Sequence, residues 1–423
     1  MVAALATGLM LTAGPVAQAD TVETAIPVGA SPFGVAITPD GARAYVTNLS
    51  DHTVSVIDTG TNTVIGNPIR VGNTPSGVAI TPDGARAYVA NLRDDNVSVI
   101  DIGTNAVIGN PITVGDLPLV VAITPDGAHA YVTNREDDTV SVIDTATDTV
   151  TTTIDVGDRP IGVAITPDGT RAYVTNYNDR TVSVIDTATN TVTGTIDSGR
   201  NAEGVAITPD GARAYVANYF DGSVSVIDTG TNAVIGNPIT VGSYPSRVAI
   251  TPDGARAYVT SRDDDRVSVI DTTTLDVTET IDVGDLPIGV AITPDGARAY
   301  VTNAGSDTNA GGGTVSVIAI EWEPTVTMTL PAGVVGQPYE YTFTVAGQPT
   351  PTSVTAGTLP DGLTLNENVL SGTPTTAGQF EFTFTATNGI GDDATVPVVL
   401  EITDTPSGTP STGSLGSLGF SGS

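Results

Sequence analysis

Short apolar runs separated by polar turns fill most of this chain, and they recur in a fixed order. Residues 77–114 show one round of the pattern. Gly77-Val78-Ala79-Ile80-Thr81 is an apolar run closed by Pro82-Asp83-Gly84. Proline presets the second position of a β-turn and glycine accepts the positive φ that closes it, so a tight reversal is expected there. Arg86-Ala87-Tyr88-Val89-Ala90-Asn91 is the second run, followed by the polar stretch Leu92-Arg93-Asp94-Asp95. Asn96 to Asp101 alternates apolar and polar with period two, as a strand covered on one face does. A further turn, Gly103-Thr104-Asn105, leads to the run from Val107 to Val114. One round predicts four antiparallel strands.

The phrase Ile-Thr-Pro-Asp-Gly occurs seven times, with its aspartate at 40, 83, 126, 168, 210, 253 and 295 and a spacing of 42 or 43 residues. Four short strands in roughly 40–45 residues make a propeller blade. A lone sheet of this size cannot cover both faces, so the copies must stack on one another. The expected architecture is all-β: a seven-bladed β-propeller over residues 20–322. The longer copies carry Pro68, Pro111 and Pro238 in their last strand. Proline removes a ladder donor and is tolerated at a sheet edge, so the fourth strand should be the outer one and the Gly-Val-Ala strand should line the axis. The seventh copy has three strands (290–293, 299–303 and 314–320) and no fourth, whereas Val22 to Gly29 matches a fourth strand with no blade before it. Residues 21–29 are therefore expected to complete blade seven.

Tyr45-Val46-Thr47-Asn48 returns as Tyr-Val-Ala/Thr-Asn at 88, 131, 173, 215 and 300, and as Tyr258-Val259-Thr260-Ser261. With the recurring Ser-Val-Ile-Asp-Thr and Val-Gly-x-x-Pro-x-Gly-Val-Ala-Ile-Thr-Pro-Asp-Gly, residues 21–320 resemble the YVTN family of β-propeller repeats. That resemblance implies a protein that is exported or associated with a surface layer, in a family where most members have no assigned activity.

Past Trp322-Glu323-Pro324 the repeat stops. Residues 325–402 alternate strongly, as in Tyr339–Val345 and Gln379–Ala386, which predicts a β-sandwich. Leu359–Leu365, Leu370–Pro374 and Phe382–Gly391 resemble the immunoglobulin-like domains of bacterial surface proteins, implying a spacer or adhesion module. The cysteines of antibody domains are absent. Residues 403–423, rich in Ser, Gly, Thr and Pro, predict a disordered tail. Residues 1–19 are apolar and end in Ala17-Gln18-Ala19, the small-x-small pattern of a signal peptide, although the usual basic start is missing. No other stretch is long and apolar enough for a transmembrane segment. The expected location is secreted or at the cell surface.

Charge narrows the partners. The chain has 47 acidic residues against 15 basic ones, a net charge of −32, and every basic residue besides two histidines is arginine. Nucleic acid and anionic membranes require clustered cations, so no nucleic-acid partner is expected. With no cysteine there is no thiol nucleophile and no Cys-ligated metal.

Residues present in every copy are assigned to the scaffold. The Thr-Pro-Asp-Gly aspartates and those ending Ser-Val-Ile-Asp (58, 101, 144, 186, 228 and 271) precede turns that short carboxylates cap. Arg43, Arg86, Arg171, Arg213, Arg256 and Arg298, with His129 in the third copy, are expected to pair with these carboxylates. His52 and His129 lie in different copies and cannot make a zinc site unaided. The acidic loops at Asp94-Asp95, 136–138 and 263–265 could hold Ca2+ through oxygen ligands, although they lack the spacing of a defined calcium loop. No other cofactor is indicated.

The copies disagree in the loops between strands two and three and in the crossings between blades, which should share one face. Blades four to six concentrate the differences: Arg159, Tyr177, Arg180, Arg200, Glu203, Tyr219, Phe220, Tyr244 and Arg247. Aromatic rings beside arginine on an acidic protein suit a sugar, an acidic glycan or a partner protein, that is, a glycan or protein ligand. The leading expectation is a cell-surface binding or adhesion scaffold without catalysis. The alternatives are a lactonase-like hydrolase with a carboxylate-bound metal in the channel, and a surface-layer structural subunit.

Overall fold

The computed structural model describes residues 20–305, 312–348, 351, 353–388, 390 and 393–404. The signal peptide expected at 1–19 and the tail beyond 404 lie outside the described residues. The chain divides into two compact units, which meet in sequence at Ile320 and Glu321.

The first unit is a ring of seven four-stranded antiparallel sheets. In blade two the strands are Pro75–Ile80, Arg86–Asn91, Asn96–Asp101 and Ala106–Thr113, paired in that order. The first strands, from Pro32–Ile37 round to Pro287–Ile292, touch in succession and the seventh touches the first, so the ring is closed around them. The fourth strand is the outer edge. In blade one it is broken into Thr63–Val64 and Ile69–Arg70; in blade two its register shifts between Ile108 and Ile112. The longer copies thus place their extra residue and their proline in an outer bulge, where Gly66 and Gly109 take φ of 69° and 68°.

The second strand of each blade is the most buried, because it lies midway between two neighbouring sheets. Tyr45 and its six counterparts are fully covered. Their hydroxyls find partners on the next blade: Tyr45 donates to Asn105 Oδ1 at 2.5 Å, Tyr131 to Asn190 at 2.6 Å and Tyr88 to Asp148 at 2.6 Å. The turn between strands three and four thus carries the lock for the preceding blade. Arginine does the same. Arg43 Nη1 donates to the Ile102 carbonyl at 2.9 Å and Arg86 Nη1 to that of Thr145 at 2.9 Å. The expectation that these arginines pair with the recurring turn carboxylates is corrected: they reach forward to carbonyls of the next blade. The carboxylates cap their turns locally, Asp40 Oδ1 accepting from the Thr38 hydroxyl and Ala42 N–H, and Asp58 Oδ1 from the Thr61 N–H and hydroxyl.

A third lock lies near the axis. Thr47 donates to the Ser76 carbonyl of the next blade at 2.6 Å and accepts from Gly34 N–H at 2.8 Å. The blades approach so closely here that a Cβ on Gly34 would meet the Ser76 oxygen at 2.5 Å. Where alanine replaces this threonine, at Ala90, Ser76 itself donates to the Leu119 carbonyl at 2.9 Å.

Blade seven is assembled from both ends of the propeller unit. Thr21–Pro27 pairs with Thr314–Ala319 as the outer strand of the sheet holding Arg298–Asn303 and Pro287–Ile292. Asp20 takes the place that the turn asparagine has elsewhere. Its buried carboxylate accepts from the Tyr258 hydroxyl and, at 3.1 Å, from Arg256 Nη1, while its N–H donates to Glu279 Oε2 at 3.1 Å. Glu23 pairs with Arg298 at 2.8 Å.

The propeller unit ends short of the boundary expected at 322, because Trp322–Thr327 pairs with Thr344–Gln348. The second unit also holds a four-stranded sheet led by the long hairpin Gly378–Thr387 and Ala394–Thr403, and a three-stranded sheet containing Tyr339–Thr342 and Leu363–Asn366. Alternate residues Phe382, Phe384 and Leu400 meet Phe343, Leu363 and Leu370 in one core. Phe384 packs against Phe343 at 4.8 Å and Phe382 at 5.3 Å between ring centroids.

Two outcomes follow. Asp20→Ala removes the buried carboxylate that the Tyr258 hydroxyl and Arg256 share, so it should destabilise the propeller by about 3 kcal/mol in thermal or denaturant unfolding; deleting 20–29 should cost more, and an unchanged midpoint for either contradicts closure by this segment. The turn carboxylates are held below their ordinary value of 3.8, Asp40 by the Thr38 hydroxyl and then the Ala42 N–H, Asp58 by the Thr61 N–H and then its hydroxyl. The unfolded chain takes up these protons first, so their contribution is present above the ordinary value and lost as pH falls through the lower folded ones. The thermal midpoint should therefore drop below about pH 4 and not above it; a flat profile through that range contradicts the assignment.

Candidate functional site

Antiparallel strands place the loop after strand two and the crossing to the next blade at the same end of the ring. The two are tied alike in every blade. The crossing residue before the first strand has φ between 51° and 59° in all seven copies, from Ser31 to Leu286. Its carbonyl accepts from the N–H of the residue that follows strand two, as Leu49 to Ser31 and Tyr177 to Arg159, both at 3.0 Å. An aspartate of the same loop accepts from a crossing N–H: Asp94 from Asn73, Asp137 from Asp116 and Asp264 from Ser243, each at 2.7 Å. Asp95 accepts from Leu117 N–H and Asp265 from Leu286 N–H. The acidic loops considered for Ca2+ thus spend these carboxylates on backbone, and among the described residues no three acidic or histidine side chains gather to hold a metal. His52 occupies the Asp95 position, its Nδ1 accepting from Thr74 N–H at 3.0 Å. An open recess beside it, about 770 Å³, is bordered by Leu49 and Arg93.

With the loops held so firmly, the residue after strand two occupies equivalent positions around the ring. It is Leu49, Leu92, Arg135, Tyr177, Tyr219, Arg262 and Ala304 in turn. Blades three to six therefore present Arg, Tyr, Tyr and Arg side by side. The Tyr177 and Tyr219 rings are 6.2 Å apart. Tyr219 also packs on Tyr244 at 4.7 Å and edge-on against Phe220 at 5.5 Å, and Arg200 lies 5.9 Å from the Phe220 centroid. Phe220 is 52% exposed. Burial pushes the Tyr177 and Tyr219 hydroxyls up; Arg135 pulls back on the first and Arg262 on the second, which puts both arginines within electrostatic reach of the rings.

Nearer the axis, Glu203 and Arg247 occupy positions that hold apolar residues and glycine in most other blades, as Ile161 and Gly162 do. Arg247 Nη1 donates to Glu203 Oε1 at 3.1 Å, and Ser246 donates to the same oxygen at 2.6 Å. The Arg247 guanidinium also lies 5.5 Å from the centroid of Phe33 in blade one. Blade seven separates blades six and one, so this side chain reaches across the mouth of the channel. Burial raises the Glu203 carboxyl above its ordinary range, opposed by Arg247, and lowers Arg247. Arg247 Nη2 and Arg135 Nε are buried without a hydrogen-bond partner.

Of the residues singled out in the sequence, Tyr177, Tyr219, Phe220, Tyr244 and Arg200 form one ring cluster, with Glu203 and Arg247 beside it. Arg159 pairs with Glu136 at 3.0 Å on its border. Arg180 is exposed and has no side-chain hydrogen bond or ion pair among the described residues. Arg135, Arg262 and Phe33 belong to the mouth and were not singled out. Aligning the copies on the residue after Tyr-Val-Thr-Asn is the signal that exposes the first two.

Residues 14–154 match the family described as "Lactonase, 7-bladed beta-propeller", residues 129–251 the "Cytochrome D1 heme domain", and residues 323–403 the "Putative Ig domain". The chain is a seven-bladed propeller followed by an Ig-like domain. Among solved structures, the propeller resembles the chain titled "Kuenenia stuttgartiensis Hydrazine Synthase", at 27% identity and a TM-score of 0.62 over 69% of this chain and 96% of that one. No curated protein matches. His52 spends its Nδ1 on the Thr74 N–H, and His129 begins the second strand of blade three, at the opposite end from the rim.

The Glu203–Arg247 pair provides a test of what holds the propeller's mouth. Glu203→Ile leaves a buried guanidinium unpaired and should cost about 3 kcal/mol in denaturant unfolding. Glu203→Ile with Arg247→Gly restores the arrangement of the other blades and should recover most of that loss. A double variant no better than the single would show that the pair is not the coupled unit described.

Proposed function

We propose that this protein is an exported binding module that takes a saccharide on the rim of blades four to six and does no chemistry on it. The observation that carries this reading is the contiguous cluster of the aromatic rings of Tyr177, Tyr219, Phe220 and Tyr244 on one end of the ring. A sugar ring presents a C–H face that packs on electron-rich aromatic rings, and tyrosine adds a hydroxyl at the edge. Rings held by a stiff scaffold lose little freedom on binding, which favours affinity. The apolar start ending in Ala17-Gln18-Ala19 and the Ig-like second unit support a place outside the cytoplasm, secreted or at the cell surface.

The match of residues 14–154 to lactonase propellers favours a second reading, a hydrolase acting in the channel. The donor set argues against a carboxylate-bound metal there. Glu203 is already paired with Arg247 and Ser246, and the first strands bring Val, Ala and Ile to the axis.

A glycan array read with the wild-type protein and Tyr219→Ala separates these. Saccharide binding weakened about tenfold or more by the substitution is expected. Capture of proteins but of no glycan would turn the reading to a protein ligand. Turnover of a lactone panel lost with Glu203→Gln would overturn it in favour of hydrolysis, and ordered lattices from purified protein would favour a surface-layer subunit.

A further inference from the structure

We infer that the saccharide is an acidic one: the propeller mouth takes a uronic acid unit, its ring against Tyr177 and Tyr219 and its carboxylate among Arg135, Arg247 and Arg262. This rests on the saccharide reading above and goes further by naming the charged group.

Three observations converge on it. Arg247 Nη2 and Arg135 Nε are buried and have no acceptor in the protein. A buried N–H without a partner is costly, and a ligand oxygen accepting from it would remove that cost. Second, the same structural position in four successive blades reads Arg135, Tyr177, Tyr219, Arg262. Two neighbouring rings, tilted 52° to one another and flanked by two guanidinium groups, match a ring that carries an anionic substituent, since guanidinium N–H groups are arranged to meet a planar carboxylate. Third, arginines gather here on a chain with 47 acidic residues against 15 basic ones. Glu203 pairs with Arg247, with Arg135 and Arg262 also in electrostatic reach, while Glu203 and Asp263 are the carboxylates that act on Tyr219. At physiological salt the field of more distant carboxylates fades within about 8 Å, so these three guanidinium groups outnumber the two near carboxylates.

The Glu203–Arg247 pair supports the same end. Glu203 fixes the guanidinium through Nη1 and leaves Nη2 for a ligand. Binding of an anion beside it also favours the charged form of Arg247, which burial opposes.

The test uses the whole chain and three acidic oligosaccharides, of galacturonate, of alginate and of hyaluronan, each against its carboxyl-reduced counterpart by titration calorimetry. Reduction leaves the ring and removes only the charge. At least one acidic oligomer should bind about tenfold or more tighter than its reduced form, with affinity falling as salt rises. Arg135→Gln and Arg262→Gln should each bring it close to the reduced form, while Arg93→Gln, at the recess of blades one and two, should leave it unchanged. Thermal unfolding checks that the variants are folded; if they are not, the wild-type comparison of acid with reduced oligomer decides alone. Equal affinity for every acid and its reduced form overturns the inference while leaving the saccharide reading standing. Failure of every saccharide, acidic or neutral, overturns both.

Discussion

The propeller depends on one contact made repeatedly: a buried tyrosine hydroxyl of one blade held by the turn of the next. Tyrosine brings a large apolar ring to the centre of the sheet stack, but its hydroxyl would be costly there without an acceptor. An asparagine or aspartate between strands three and four supplies it in most blades, the Thr272 carbonyl does so for Tyr215, and the neighbouring arginine reaches a carbonyl of the same turn. Each blade is therefore completed by its successor. A stack built this way has no stable end, which is why the ring must close.

Closure follows the same chemistry with a different part of the chain. Blade six meets not a turn but Asp20, whose carboxylate stands in for the usual asparagine side chain and gathers Tyr258 and Arg256. The outer strand that follows from it completes blade seven. The N-terminal segment is thereby bound by both backbone ladder and buried ion pair, and the first and last parts of the propeller share one sheet.

So much of each repeat is committed to these locks that function is left to positions the locks do not use. Carboxylates that look available in the sequence are tied to backbone N–H groups, Asp40 in its turn and Asp94 at a crossing. The same bonds hold the rim loops in register from blade to blade, so a substitution there changes chemistry without moving the frame. At Tyr177, Tyr219 and Arg262 the frame presents different groups at equivalent places. Glu203 and Arg247 are the exception, altering the strand by the axis and compensating each other.

The fold was legible because a period of 42 or 43 residues leaves few architectures, and because proline and glycine mark each turn by their backbone preferences. The rings of Tyr177, Tyr219, Phe220 and Tyr244 were also legible, as departures from a repeated background. The direction in which Arg43 reaches was not, since period alone does not say which neighbour a side chain meets. Nor were Arg135 and Arg262, which look like ordinary loop charges until the copies are superposed. The chain by itself determined strands, turns and their number, all of which are local properties. Only the closed ring decided which distant residues become neighbours at the mouth, because that depends on the angle between blades and on where the last one meets the first.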